Sequence, residues 1–439
     1  MKILVIGGGG REHAICWALS KNPKVTRIFA APGNGGIEEV ATCVNIAPLN
    51  FEELIAYAKN VGIDLTICPM DAPLVAGIVD AFNEAGLAIF GPDANAARIE
   101  GSKIFAKEFM KKYNIPTAGY EAFYDYESAM LFAAQSKFPL VIKADGLAAG
   151  KGVAICPGVD SAEFALDKMF NKGSFGAAGR RVVIEEFMNG VECSILCFCD
   201  GETIIPMVSA KDHKAVYDRD YGPNTGGMGA ISPNPFYTDE IAEECMQKIY
   251  LPTMEGFKKE GINFVGVLFV GLMLTEDGPK VVEYNCRPGD PETQALLMRL
   301  ETDILTIIQA CMDKKLDNLK IRWKNNAVCC VVAASRGYPE EYKAGYEIEG
   351  LRNFGRNVQV FHAGTKKDKT SYYTTGGRVL NVVAQGDNLD EARVMAYKTL
   401  SSIRFMGMHF RNDIGDLMDA YSFASTFSNN FGFASKNNR

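Results

Sequence analysis

The chain has 439 residues, 47% hydrophobic and 23% charged, with a formal net charge of -7. That length allows roughly two to four domains with sizeable cores, and the acidic balance excludes a global field that would draw in nucleic acid. No apolar run approaches the roughly 18 residues of a membrane span, and the opening "MKILVIGGGGREH" breaks at Gly7, too early for a secretory leader.

In chain order, "KILVIG", "RIFAA", "LTICP" and "AIFG" read as strands within residues 1–100, with helices after Gly10, Asn50 and Ala72. This alternation predicts a parallel sheet covered on both faces. "VIGGGGREHA" follows a strand and opens a helix, which invites a dinucleotide fingerprint. Gly7 and Gly9 fit, but Glu12 stands where the third glycine belongs, and no carboxylate follows the second strand until Glu38. What remains is a backbone-amide pocket suited to a single phosphate, or a plain tight turn.

From about residue 103, "GSKIFAKEFMKKY" reads as a helix. "AGYEAF", "PLVIKAD", "GVAIC" and "RVVIEEF" follow as strands, with helices at 126–136 and 160–170. The stretch "DGLAAGKG" at 145–152 resembles a P-loop one residue short, and Gly152 replaces its hydroxyl. A strand follows it, where a P-loop needs a helix. The glycines therefore sit at a hairpin tip, as a lid over a triphosphate or as a flexible turn, with Lys143 and Lys151 placed to neutralise oxygens.

In "VECSILCFCD", alternation puts Cys193, Ile195, Cys197 and Cys199 on one face. A buried strand face is the better reading than a metal site, since the whole chain has four histidines. The twelve cysteines fit reduced thiols in a cytoplasm. "KDHKAVYDRDYGPNTGGMGAISP" is a polar loop dense enough to bind something. "VGVLFVGLMLT" and "KVVEYNC" form an antiparallel hairpin around Glu276-Asp277-Gly278. On its second strand Glu283 and Asn285 lie two apart and share a face, a carboxylate and an amide oxygen suited to Mg²⁺. Arg287 follows, placed to reach a carboxylate or phosphate. Helices are expected at 291–314. A third region from 326 mixes strands with a helix near 389–402, and the Ser/Asn/Gly-rich end reads as a loosely held tail.

The ordered strings "GGREHA", "APGN", "GSK", "IPTA", "VIKADGLAAGKGV", "VIEEF", "DHK", "GPNTGGMGA", "EYNCRPGDPET", "FHAGT", "GGRVL" and "RNDIG" resemble the ATP-grasp superfamily, and within it the phosphoribosylamine–glycine ligase family. The resemblance covers nearly the whole chain. It implies an α/β and α+β multidomain protein: an N-terminal parallel, Rossmann-like α/β domain (1–102), an ATP-grasp domain (103–325) with a mobile lid at about 120–190, a mixed α/β C-terminal domain (326–422), and a tail (423–439). The implied reaction joins glycine to 5-phosphoribosylamine at the expense of ATP, through glycyl phosphate, in purine synthesis. Small molecules are the implied partners, with no nucleic acid and no membrane, in a cytoplasmic monomer or weak homodimer.

By the same resemblance Lys103 and Lys143 contact ATP phosphates under a lid of Gly146, Gly150, Lys151 and Gly152. Glu185, Glu186 and Phe187 hold adenine, and Glu192 takes the ribose hydroxyls. Glu283 and Asn285 bind Mg²⁺ or Mn²⁺, and Arg287 stabilises the transferring phosphoryl. Gly9, Gly10 and Asn34 cradle phosphoribosylamine, with Asp71 and Asp290 on the substrate side. Asp212, Lys214, Asn224 and Thr225 line the acceptor side, Asp212 with a catalytic role. Four positions depart from the family pattern: Asp71 stands for a glutamate, Pro288 removes an amide beside Arg287, and Tyr217 and Tyr221 are bulkier than usual.

Overall fold

The computed structural model describes residues 1–148 and 152–417. The first strand, Lys2–Gly7, is buried from Ile3 onward, because helices cover both faces of its sheet. It pairs in parallel with Arg27–Pro32 on one side and Leu65–Ile67 on the other. The two-residue strands Thr42–Cys43 and Ile89–Phe90 complete a five-stranded sheet at its edges. Strand order thus reverses beside the first strand, and "GGGG" opens into the crevice there. The helix expected after Ala72 is two pieces, Asp71–Val75 and Ile78–Glu84, because Gly77 sits between them at φ +89°.

The middle of the chain builds two antiparallel sheets. One orders Tyr120–Phe123, Val182–Glu186, Leu140–Ala144 and Val153–Cys156, packed on helices Tyr126–Gln135 and Val159–Leu166 around its own small core. A strand on each side of 145–152 bears out the hairpin expected there. The other sheet orders Ile204–Pro206, Val191–Asp200, Val265–Thr275 and Gly278–Asn285. Cys193, Cys197 and Cys199 lie in its buried core, where burial pushes their thiols up; all twelve cysteines are free.

A fourth sheet is centred on Ala327–Ser335 and Arg378–Gly386. It also takes in Gly229–Ser232 and Lys211–Asp212 from the polar loop, across the boundary expected at 325. Helix Leu389–Leu400 packs on it. The polar loop is therefore pinned to residues 411–413: Arg411 meets Asp220 and Asp413, each at 2.7 Å, and Asn412 Nδ2 bonds Asp218 at 3.0 Å. No helix among the described residues is long and apolar enough to cross a membrane.

Candidate active site

A cleft of about 940 Å³ opens between the two antiparallel sheets and the polar loop, lined by Lys103, Lys143, Gly146, Gly152, Glu185–Glu192, Asp212–Ala215, Asn224, Thr225, Glu283, Asn285 and Arg287 among others. Its centre is the hairpin strand Gly278–Asn285. That strand carries a β-bulge: Gly271 faces Glu283 and Leu272 faces Val281, so Val282 is the extra residue. Its carbonyl, freed from the ladder, accepts Lys143 Nζ at 3.0 Å. Glu283 and Asn285 share the cleft face, while Tyr284 points back to bond Thr253 at 2.7 Å.

Glu283 lies among cations. Burial alone would raise its pKa, but Lys214, Lys143, Lys103 and Arg287 outweigh that and hold it at about 2. It is therefore a carboxylate at any working pH. Lys214 Nζ lies 3.8 Å from both Glu283 and Glu192, and Glu192 foremost raises its pKa. Lys103 Nζ donates to Gly146 O at 3.0 Å, which ties the start of the glycine stretch to the helix Lys103–Lys112. Asp145 reinforces the tie by accepting from Ser102 Oγ (2.9 Å) and Ile104 N (3.1 Å). Gly150 and Lys151 lie outside the described residues, as does the tail from 423.

The side chains of Glu185 and Glu186 have partners of their own. Glu185 sits between Lys143 (2.9 Å) and Lys107 (3.0 Å), all three buried, and Glu186 accepts Gly119 N at 2.9 Å. Their backbone and the half-exposed Phe187 edge the cleft. Arg287 Nη2 bonds Asn285 Oδ1 and pairs with Glu100, both at 3.0 Å, with Asp71 farther at 4.0 Å. Glu100 also accepts Cys286 N at 2.8 Å.

On the acceptor side, Thr225 is spent on its own loop, donating to Lys214 O (2.8 Å) and accepting Gly227 N (2.9 Å). Asn224 pairs with Ala215 in the short hairpin beneath the exposed Tyr217 and Tyr221. Asp290 bonds Gln294 (2.6 Å) and pairs with Arg378 (3.4 Å). Burial works to raise its pKa, yet Arg378 and Arg11 hold it below the usual range.

Gly9, Gly10 and Asn34 stand apart from the cleft-lining set. The Gly9 amide donates to Glu12 Oε2 at 2.6 Å, a capping bond that takes one amide at the N-terminus of the first helix. Gly10 faces Asn381 and Gln294 so closely that a Cβ would lie 2.2 Å from Asn381 Nδ2. Asn34 bonds Gly8 O (2.9 Å), His362 O (2.8 Å), Gly36 N and Ile37 N (2.9 Å each). As arranged, its side chain shapes the crevice and has no atom to spare for a ligand.

Sequence reasoning passed over Arg11, Glu100, Lys107, Glu292 and Arg378. All but Lys107 lie inside or within two residues of the strings that carry the resemblance, but nothing local says which side chains the fold turns inward. Lys107 stands one helical turn after Lys103, on the same face. Among the described residues no cluster of three or more His, Cys, Asp or Glu side chains could hold a metal. Glu283 and Asn285 instead supply two hard oxygens beside phosphate-sized space, a set that suits a cation also bound by phosphate and water.

Family models for the phosphoribosylglycinamide synthetase N domain, ATP-grasp (A) domain and C domain match residues 1–100, 101–293 and 328–417. The chain belongs to the phosphoribosylglycinamide synthetase family. Proteins named phosphoribosylamine–glycine ligase from Clostridium acetobutylicum and Caldanaerobacter subterraneus are 49% and 50% identical to it. Each alignment covers 94% of this chain and 99% of the relative. The crystal structure of phosphoribosylamine–glycine ligase from Thermotoga maritima superposes with a TM-score of 0.80 at 32% identity, covering 94% of this chain and all of that one. The biotin carboxylase domain of Hydrogenobacter thermophilus 2-oxoglutarate carboxylase, solved with MgADP and bicarbonate, shares the fold (TM-score 0.73, 17% identity, covering 93% of this chain and 91% of that one). A phosphoribosylglycinamide synthetase is an ATP-dependent ligase with an ATP-grasp fold, which accounts for the two antiparallel sheets that flank the cleft.

Proposed function

We propose that the chain ligates glycine to 5-phosphoribosylamine, giving glycinamide ribonucleotide, ADP and phosphate. The observation that carries this reading is the convergence of Lys103, Lys143, Glu283, Asn285 and Arg287 on one cleft in a chain of this family. Glycine's carboxylate is a weak nucleophile, and it approaches a highly charged triphosphate. Charge screening and alignment are what the protein must supply, and no enzyme nucleophile is needed.

In this reading Lys143 and Lys103 hold phosphate oxygens, and the backbone at 185–187 meets the adenine beside Phe187. Glu192 accepts the ribose hydroxyls. Glu283 and Asn285 hold Mg²⁺ or Mn²⁺, which when bound offsets phosphate charge and aligns the transferring group. Arg287 lies beside the phosphoryl and acyl oxygens, its guanidinium held by Asn285, Glu100 and the Pro288 carbonyl. Glycyl phosphate then meets the amine on the side of Asp212, Lys214 and Asn224. The twelve free thiols fit a reducing cytoplasm.

The test is ADP release by the purified protein with ATP, Mg²⁺, glycine and freshly made phosphoribosylamine, each omitted in turn. Release should need all four. Release that ignores glycine, or runs equally well on bicarbonate, refutes the reading.

A further inference from the structure

The three groups that hold the Arg287 guanidinium come from different places. Asn285 Oδ1, 3.0 Å from Nη2, and Pro288 O, 3.4 Å from Nη1, are its own neighbours along the chain and move with it. Glu100 comes from the N-terminal region, near the end of helix Ala94–Gly101. Its Oε1 pairs with Nη2 at 3.0 Å, and its Oε2 accepts Cys286 N at 2.8 Å. One carboxylate therefore grips both the Arg287 side chain and the backbone just before it. Glu100 is only 8% exposed, so water competes little for either oxygen. Asp71 approaches the same Nη2 no closer than 4.0 Å.

The residues that follow, Gly101-Ser102-Lys103, tie the same segment to the other side of the cleft. Ser102 Oγ donates to Asp145 Oδ1 at 2.9 Å, and Lys103 Nζ donates to Gly146 O at 3.0 Å. Gly101 fits tightly against the helix Asp71–Val75, where a Cβ would stand 3.1 Å from Val75 Cγ1. Residues 100–103 thus form a short, closely packed link. One end holds Arg287; the other carries Lys103 and anchors the base of the glycine stretch.

We infer that Glu100 is a positioning residue for the reaction. It sets the Arg287 guanidinium at a fixed place relative to Lys103 and the base of the glycine stretch, so that both cations meet the transferring phosphoryl group together. The inference rests on the ligase reading above, in which Lys103 holds phosphate oxygens and Arg287 lies beside the phosphoryl and acyl oxygens. Glu100 itself touches no substrate; it acts through Arg287. The bonds made by Ser102 and Lys103 do not pass through its carboxylate. A change at Glu100 therefore leaves the phosphate-holding side in place, and the loss falls on turnover. Alignment at a reacting centre is that sensitive: a misplacement of about 1 Å can cost about 10²-fold.

The experiment sets turnover against ATP binding. ADP release with glycine and phosphoribosylamine, and the ATP dissociation constant by calorimetry without glycine, are measured for wild type, Glu100→Gln, Glu100→Asp, Arg287→Gln and the double variant with glutamine at both positions. Melting curves identify the folded variants. Glu100→Gln should lower kcat by about 10–10²-fold while the ATP dissociation constant changes by less than about threefold. In the Arg287→Gln background the same change should cost less than about threefold, because the two residues act as one unit. Glu100→Asp keeps the charge and is the variant to read if Glu100→Gln does not fold; it should show the same split, with kcat down by about tenfold. The calorimetric comparison decides the matter where the double variant is too slow to follow. A kcat close to wild type in the folded variants, an ATP affinity that falls as far as kcat, or the full further loss in the Arg287→Gln background each overturns the positioning role and leaves the ligase reading intact. A wild type that releases no ADP with glycine and phosphoribosylamine overturns that reading, and this inference with it.

Discussion

Lys143 Nζ lies 2.9 Å from Glu185 Oε1, with both side chains buried. Lys107 reaches the other oxygen of the same carboxylate at 3.0 Å, so one negative charge serves two ammonium groups. Burial foremost lowers Lys107 to about 8, and Glu185 works against that fall. The arrangement fixes the Lys143 side chain at the cleft wall.

Replacing Glu185 with glutamine removes the shared charge and leaves two buried lysines. Stability should fall by about 3–5 kcal/mol, the usual loss when one member of a buried pair is deleted. A urea titration without nucleotide measures it, and a loss below about 1 kcal/mol would show that the lysines find other partners.

Glu283→Ala should lower turnover by at least about 10²-fold, as expected when a ligand that aligns the transferring phosphoryl is lost. Because burial is outweighed by four cations that hold the Glu283 pKa at about 2, while its side chain is 32% exposed, folding stability should fall by only about 1–3 kcal/mol. Steady-state ADP release together with a melting curve checks both halves. Near-normal turnover would remove Glu283 from the metal site.

Asn34→Ala would strip partners from four backbone groups at once, the carbonyls of Gly8 and His362 and the amides of Gly36 and Ile37. At about 1 kcal/mol for each hydrogen bond lost, with some regained by water, the cost should be about 2–4 kcal/mol. The denaturation midpoint reports it. A neutral result would mean that the crevice holds its shape without this side chain.

Stability should also fall in mild acid. His13 and His362 join the first helix to the third region, with His362 N donating to His13 Nδ1 at 2.9 Å. Burial foremost lowers His13 to about 3 and His362 to about 4. The unfolded chain therefore takes up these protons near pH 6.5 while the folded one does not. Their contribution is complete above that pH and declines as pH drops toward about 4, by up to about 1.4 kcal/mol per unit for each histidine. Denaturant midpoints from pH 7 to 4 should trace this slope. His13→Asn, whose amide oxygen can replace Nδ1, should flatten it; an unchanged slope would assign the acid sensitivity to other groups.

The sequence by itself determined most of the local elements and which residues of the cleft's central hairpin strand share a face. Periodicity of two on "KVVEYNC" is enough to put Glu283 and Asn285 on one face, and a strand on each side of "DGLAAGKG" is enough to rule out a P-loop. Those signals are legible because they depend on neighbours a few residues away. Only the tertiary structure decided how the acceptor side is built. It brings Glu100 to Arg287 across 187 positions and Asp290 to Arg378 across 88. It also splits the helix at Gly77 and carries strand Gly229–Ser232 into the fourth sheet. A side chain's partner there is set by how separate sheets pack, and spacing along the chain carries no record of that packing.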